Sequence, residues 1–341
     1  MTDALTRNQP APTDPDAVRA QARAWFEQNW DPQLTLGEWW QRLADSGWGF
    51  PTWPTDMYGR GLLPHLAPQV AAARREAGAI GPPAGIAQNL AAPTIIAHGT
   101  DEQRRRFLPR IVAGEVWCQL FSEPTSGSDL ASLQTKAVRD GDEWVVNGQK
   151  VWTSGAHIAN FGILVARTDS SVPKHRGLTY FVIDMHQPGI EVRPIREMTG
   201  RAIFNEVFFT DARVPNENLI GEVGGGWGVA LTTLANERTM LGAGSFGSAG
   251  GGVSIRQPDL DRRVGDLAGG AGDAPSAGMG TTADLLLGLL RTYGGADDPV
   301  MRQEVAGVWS LLEIARYTDL RVLAAVERGG RPGPEVSVGK L

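Results

Sequence analysis

Two short stretches of the sequence carry residue types that could bind a flat or charged ligand. One is SEPTSGSD, which surrounds Gly127 with hydroxyl residues and ends in an acid. Such a turn can offer backbone N–H groups and hydroxyls to an anion or a polar ring. The other is Trp152-Thr153-Ser154, an indole followed by two hydroxyls, which could stack on a planar cofactor and hydrogen-bond to it. Taken alone, each stretch is also typical of an ordinary loop or of a core tryptophan beside turn residues.

Helices are predicted on both sides of these stretches. Segments such as VRAQARAWFEQNW and DEQRRRFLPRIVAG repeat apolar residues at spacings of three and four, which predicts an N-terminal helical domain over residues 18–113. Thr100 before two acidic residues is a typical helix start. Residues 1–17 are polar and proline-rich, and we expect a flexible terminus. Residues 222–341 predict a second helical domain with a Gly-rich insertion at about 242–282, and we expect the later part of that insertion to be flexible.

Strands are predicted between the two helical regions, over residues 114–221. Segments such as VWCQLFS, FGILVART and NEVFFTD are rich in β-branched and aromatic residues and are separated by turn signals. Asn147-Gly148 is the strongest hairpin signal among them. Short, evenly spaced strands of this kind favour an antiparallel β-barrel or sandwich. The sequence therefore predicts an α+β fold in the order helices, strands, helices.

Charge and cysteine content exclude several classes of protein. The formal net charge of −6 argues against a general nucleic-acid binder, which would carry a basic stripe. The lone Cys118 cannot form an internal disulfide, and without a Cys/His cluster we expect no metal site. No apolar run reaches the roughly 20 residues of a membrane span, and the N-terminus lacks the apolar run of a secretory signal. We therefore expect a cytoplasmic protein.

The order of several motifs resembles the acyl-CoA dehydrogenase family. E-P-x-x-G-S-D, a threonine-lysine pair, N-G-x-K and W-x-[ST] follow one another as in the family's central β-domain, and FNEVFFTDARVPNENLIGEVGGGW resembles its second signature. The resemblance extends from about Gly99 to Arg238. It implies an FAD-dependent oxidoreductase that takes two hydrogens from the α and β carbons of an acyl-CoA thioester. It also implies electron transfer to an electron-transfer flavoprotein and a homo- or hetero-oligomer, either a dimer or a tetramer.

The resemblance also assigns cofactor and substrate contacts by position. Ser128 would lie at the boundary between flavin and substrate, near the pantetheine arm, and Ser154 would offer its hydroxyl to flavin N5. Arg291 resembles the arginine that reaches the flavin pyrophosphate of a neighbouring subunit. The remaining expected FAD contacts are Gln119, Phe121, Ser122, Gly127, Trp152 and Thr153.

The family places its catalytic carboxylate at one of two positions, and LTTLANERTML matches the one on the helix after the β-domain. The resemblance thus makes Glu237 the expected base and Arg238 a substrate-side residue. Ala230, Leu234, Glu237 and Leu241 are spaced by four, three and four, so Glu237 lies on its helix's apolar stripe. Apolar surroundings disfavour a carboxylate's charged form, which suits a general base. The alternative is a Glu-Arg pair on a solvated helix edge.

Part of the family pattern is missing before Leu341. The family's Gly-Gly-containing stretch, which holds the adenosine end of the flavin, and its C-terminal substrate loop do not occur. We therefore expect an incomplete C-terminal helical bundle, either truncated or completed by another chain. Two other functions stay open: an oxidase or flavin monooxygenase of the same fold, and a non-catalytic or truncated subunit of a hetero-oligomer. Straight, branched and ring-bearing acyl groups also stay open as substrates.

Overall fold

The structure, a computed structural model, describes residues 13–242, 259–268 and 282–328, and it begins with a helical domain. Asp14 caps the first helix by accepting a 2.8 Å hydrogen bond from the N–H of Ala17. The helix starts at Pro15, so the predicted flexible terminus is wrong for residues 15–17, while residues 1–12 lie outside the described part. Thr100 caps the last helix of this domain through a reciprocal capping box, as predicted. The helices are α1 Pro15–Asn29, α2 Leu36–Ser46, α3 Ala67–Glu76, α4 Ala92–His98 and α5 Asp101–Val112.

An eight-stranded sheet follows the helical domain. Its strands are β1 Trp117–Leu120, β2 Lys136–Asp140, β3 Glu143–Lys150, β4 Phe161–Arg167, β5 Leu178–Asp184, β6 Ile190–Pro194, β7 Asn205–Pro215 and β8 Leu219–Ile220. The spatial order is β6-β7-β3-β2-β4-β5-β8, with β1 paired to β4. Most pairings are antiparallel, but β4 runs parallel to both β1 and β2. The predicted order of helices, strands and helices is confirmed, and the sheet is mixed rather than wholly antiparallel.

The Asn147-Gly148 hairpin prediction is wrong. Strand β3 runs through both residues, and its register with β7 shifts between Val146 and Gly148, which marks a β-bulge. The chain instead turns between β2 and β3 at Gly141, where φ is 62°. A Cβ added at Gly148 would lie 2.5 Å from Oγ1 of Thr135. Glycine is needed there because a neighbouring loop approaches closely, not because the chain reverses.

Alternation along the strands divides the core between two faces of the sheet. Trp117 and Phe121 face the side covered by α4, α5 and the later helix α6 (Gly226–Gly242). Cys118 and Leu120 face the opposite side, where they pack with side chains from β3, β5 and β7. Cys118 is fully buried, as expected of a core residue. The sheet therefore presents one apolar face to the helices, and any polar side chain on that face stands out.

Part of the predicted Gly-rich insertion is packed rather than flexible. Helix α7 (Val264–Ala268) places the fully buried Val264 in the apolar core of the N-terminal helices. The N–H of Val264 donates to the carbonyl of Leu34 across 2.9 Å, and the N–H of Leu36 donates to that of Arg262 across 2.8 Å. Residues 259–268, in the middle of the insertion, are therefore packed against the helical domain, and any part of the predicted flexible segment that reaches them is wrong. The rest of the insertion, at 243–258 and 269–281, lies outside the described residues.

Two further helices follow, α8 (Thr282–Thr292) and α9 (Pro299–Glu327), and they pack against each other. Several apolar side chains along α9 are exposed to solvent, among them Val300, Leu311, Ile314 and Tyr317. Several exposed apolar side chains on one helix are typical of a protein–protein contact. Within the three described stretches, no helix combines the length and apolar character needed to cross a membrane.

Candidate active site

Helix α6 carries Glu237, and strand β1 brings Gln119 to it. The side-chain amide of Gln119 donates from Nε2 to Oε2 of Glu237 across 3.2 Å, and both side chains are half-buried. Ala230 and Leu234 lie in or against the apolar core on the same helix, so the predicted stripe is confirmed for these two. The side chain of Leu241 lies outside the described residues. The predicted base thus sits at the edge of an apolar core with an amide donor on one oxygen.

A buried hydroxyl network holds α6 in place one turn before Glu237. The Thr233 hydroxyl lies 3.0 Å from the hydroxyl of Tyr180 on β5 and 2.8 Å from that of Thr94 on α4. Thr94 also donates to the carbonyl of Leu90 across 2.8 Å. Burial raises the pKa of Tyr180, so this phenol stays a neutral hydrogen-bonding group. The network joins the N-terminal helices, the sheet and α6, and therefore fixes where Glu237 stands relative to β1.

The turn that follows β1 is built as the SEPTSGSD stretch predicts. Glu123 and Ser126 exchange backbone hydrogen bonds of 2.8 and 3.1 Å, which closes the turn. The carbonyl of Ser122 accepts from the N–H of Val151 across 2.9 Å. This contact ties the end of β1 to the end of β3, directly before Trp152. Two stretches that are about 30 positions apart in the sequence therefore lie side by side.

A buried ion pair supports this junction, and sequence reasoning did not identify it. Lys150 donates from Nζ to Oε1 of Glu123 across 2.9 Å and to the carbonyl of Phe121 across 3.0 Å. Glu123 also accepts from the backbone N–H groups of Gln134 and Thr135, at 2.6 and 2.9 Å. The sequence does contain a signal for this pair. The alternation along β3 that buries Trp144 and Val146 also points Lys150 inward.

Burial and charge act in opposite directions on the two partners of this pair. Burial lowers the pKa of Lys150 to about 8, although the Glu123 carboxylate partly offsets that effect. Burial acts to raise the pKa of Glu123, but Lys150 and the hydrogen bonds from Gln134 and Thr135 outweigh it and keep that pKa below its ordinary value. At neutral pH the geometry is therefore that of a charged pair whose hydrogen bonds compensate for lost solvation.

The geometry around Trp152 fits a flat cofactor. Its backbone is left-handed, with φ at 60°, and the residue is 61% exposed, so it is not a core tryptophan. Phe204 contacts the indole in an edge-to-face geometry with a centroid distance of 5.9 Å. The Thr153 hydroxyl is buried and has no hydrogen-bond partner, and Ser154 is half-buried. An open aromatic face beside an unpaired hydroxyl offers the stacking and hydrogen bonds that an isoalloxazine ring needs.

The structure brings together some of the predicted site residues and places others apart. Gln119 touches Glu237, and Phe121 packs edge-to-face on Tyr180 with a centroid distance of 5.9 Å. Gly127 and Ser128 are exposed on the turn after β1, and a Cβ added at Gly127 would meet nothing within 4 Å. This leaves room for a ligand beside the turn. The last two predicted residues are half-buried Arg238, beside Glu237 on α6, and exposed Arg291, on α8.

An open cavity of about 560 Å³ lies elsewhere, between α5 and residues 216–223. Its lining includes Gln103, Arg106 and Glu222. None of the predicted site residues lines it, so its walls do not contribute to the arrangement around Glu237.

Comparison with protein families gives two matches along the chain. The model for the acyl-CoA dehydrogenase N-terminal domain matches residues 15–115, and that for the acyl-CoA dehydrogenase middle domain matches residues 118–212. The two matches meet where the helical domain passes into the sheet. Together they cover Gln119, Glu123 and Trp152, and they end before α6, which carries Glu237.

Two relatives from Mycobacterium tuberculosis and one solved structure are similar to this chain. Acyl-CoA dehydrogenase FadE34 is 53% identical over 208 residues, which is 60% of this chain but only 28% of FadE34. Acyl-CoA dehydrogenase IpdE1 is 37% identical over 340 residues, covering 93% of this chain and 80% of IpdE1. The structure of the Tcur3481-Tcur3483 steroid ACAD is 27% identical, with a TM-score of 0.70, and covers 97% of this chain and 80% of that one.

Proposed function

Because the chain belongs to the acyl-CoA dehydrogenase family, a family of FAD-dependent oxidoreductases, we propose that it converts an acyl-CoA thioester to the trans-2-enoyl-CoA. The observation that carries this proposal is the contact between Gln119 on β1 and Glu237 on α6. This contact supports Glu237 as the base, because Phe121 and Ser122, which directly follow β1, are the proposed flavin contacts. A base and a hydride acceptor on opposite sides of one substrate are what α,β-dehydrogenation needs.

In the proposed reaction Glu237 removes the α-proton of the thioester. The electron pair of that C–H bond forms the new carbon–carbon double bond, and the β carbon loses a hydride. Bound FAD supplies the acceptor for that hydride, and with it for both electrons. When FAD is bound, Trp152 would stack against the flavin ring, and the hydroxyls of Thr153 and Ser154 would hold its polar edge. Ser128 and Arg238 line the substrate side.

The substrate class and the partners are further parts of the proposal. The name of the Tcur3481-Tcur3483 steroid ACAD supports a bulky, ring-bearing acyl group for this chain as well. That name also pairs two components, and the exposed apolar side chains of α9 offer a surface for such a partner. We propose that the chain works in an oligomer and passes its electrons to an electron-transfer flavoprotein.

Replacing the base tests the reaction directly. Glu237→Gln keeps the shape of the side chain but cannot take a proton, so flavin bleaching by an acyl-CoA should slow by about 100- to 10,000-fold. The matched control is Glu206→Gln, whose carboxylate accepts a 2.8 Å hydrogen bond from Gln149 in the sheet. An unchanged bleaching rate in Glu237→Gln would show that the base is another residue.

The same spectra distinguish the remaining alternatives. A panel of straight, branched and steroid-type acyl-CoAs, added anaerobically to the purified protein, reports which substrate class bleaches the flavin. Rapid reoxidation in air with formation of peroxide would indicate an oxidase instead of a dehydrogenase. A purified chain without a flavin absorption band would indicate a non-catalytic subunit.

A further inference from the structure

Gln119 is a polar residue on an otherwise apolar face of β1. Trp117 and Phe121, two residues away on either side, are both buried in the core beneath the helices. Gln119 shares their face because side chains two apart on a strand point the same way. A side-chain amide on this face loses hydrogen bonds to water, so it needs a hydrogen-bond partner in the protein. Its Nε2 finds one in Oε2 of Glu237.

The two partners are held in place by separate elements. Gln119 is aligned with Ile163 in the parallel pairing of β1 with β4. Glu237 stands on α6, which the buried hydroxyl of Thr233 ties to Tyr180 and Thr94. The contact therefore joins β1 and α6, which other interactions already hold in place. Little conformational freedom is lost when the hydrogen bond forms.

We infer that Gln119 is the positioning residue for Glu237. Its N–H holds Oε2, which leaves Oε1 of the carboxylate free to approach the substrate's α-hydrogen. The α-proton goes to Oε1, so Oε2 remains an acceptor and Nε2 of Gln119 can donate to it before and after proton transfer. The amide itself does not titrate and takes no part in the redox step. This role, which goes beyond the flavin contact expected for Gln119, rests on the proposed function of Glu237.

Exchange of the α-hydrogen tests this role separately from the redox step. An acyl-CoA analogue with sulfur in place of the β carbon can lose its α-proton but has no β-hydride to give. Mass spectrometry follows its uptake of deuterium from D₂O. Loss of the carboxylate's aligned position should slow this exchange by about 10-fold in Gln119→Leu, with analogue affinity unchanged. The matched control is Gln149→Leu, which loses the Gln149–Glu206 hydrogen bond in the sheet and should exchange at the wild-type rate.

A double variant asks whether Gln119 acts through Glu237. Glu237→Asp keeps a carboxylate but withdraws it by one methylene, which breaks the 3.2 Å contact. In that background Gln119→Leu should change the exchange rate by less than about 2-fold, because interacting residues are non-additive. A full 10-fold loss in both backgrounds would overturn the inference, since Gln119 would then act elsewhere.

The two proposals fail in different ways. If Glu237→Gln exchanges the α-hydrogen at the wild-type rate, the assignment of Glu237 as the base is wrong. If Glu237→Gln is inactive but Gln119→Leu exchanges at the wild-type rate, Glu237 is still the base and only the positioning role of Gln119 is wrong.

A spectroscopic measurement needs neither flavin nor turnover. The side-chain amide signals of Gln119 are assigned in ¹⁵N–¹H spectra by their loss in Gln119→Leu. They should move in Glu237→Gln and stay unchanged in Glu206→Gln. Identical Gln119 signals in the wild-type protein and in Glu237→Gln would show that the contact is not made, and would overturn the inference.

Discussion

Removing the buried charge of Lys150 should be the most costly single change in the junction between β1 and β3. Lys150→Met keeps most of the side-chain volume but deletes both hydrogen bonds of Nζ. The Lys150 and Glu123 side chains are 0% and 4% exposed, so water cannot replace the lost partner. Breaking a buried pair on one side costs about 3–5 kcal/mol. Glu123 keeps its backbone donors at Gln134 and Thr135, and we therefore expect about 3 kcal/mol.

Urea unfolding measures this loss, followed by tryptophan fluorescence and by far-UV circular dichroism so that coincident transitions justify a single free energy. Lys174→Met is the matched control. Its ammonium pairs with Asp129 at 2.7 Å, but both side chains are largely solvated, so its unfolding midpoint should hardly move. The double variant Glu123→Gln with Lys150→Met neutralises the carboxylate that has lost its counter-ion. It should recover part of the lost free energy of unfolding. A Lys150→Met loss below about 1 kcal/mol would refute the reasoning, because a buried carboxylate without its counter-ion cannot cost so little.

Two further predictions concern buried residues. Cys118 is fully buried, which raises its thiol pKa, so iodoacetamide should leave it unmodified in the native protein and alkylate it in urea. Labelling at the same rate in both states would contradict its place in the core. Val264→Asp puts a charge into the helical core and should release residues 259–268, making tryptic cleavage after Arg262 about 10-fold faster or more. Val138→Asp, at a residue that is 62% exposed, is its control, and equal rates in the two variants would show that Val264 does not hold the segment.

The local pattern of the sequence was enough to predict the class and order of the elements. Apolar spacing placed the helices and strands, and Thr100 with its capping partners marked the start of α5. Local patterns suffice for these features because helix and strand periods are set by neighbouring residues. The family of the chain was likewise readable, since its ordered motifs lie in one continuous stretch. The roles assigned to the individual site residues remain predictions.

The errors arose where a local signal has a long-range cause. Asn147-Gly148 has the composition of a hairpin turn, but the space beside Thr135 requires the glycine. Residues 259–268 are surrounded by Gly-rich sequence, yet Val264 is buried by helices more than 180 positions away. Composition reports what a segment can do alone, whereas burial depends on what lies next to it.

The sequence by itself determined that this chain carries a flavoprotein pattern with Glu237 on the apolar stripe of a helix. Only the tertiary structure decided what touches that carboxylate. Gln119 contacts Glu237 although the two are 118 positions apart in the sequence. Lys150 contacts Glu123 across a separation of 27 positions. Such pairs depend on strand register and helix placement, which result from packing of the whole core and leave no local periodic signal.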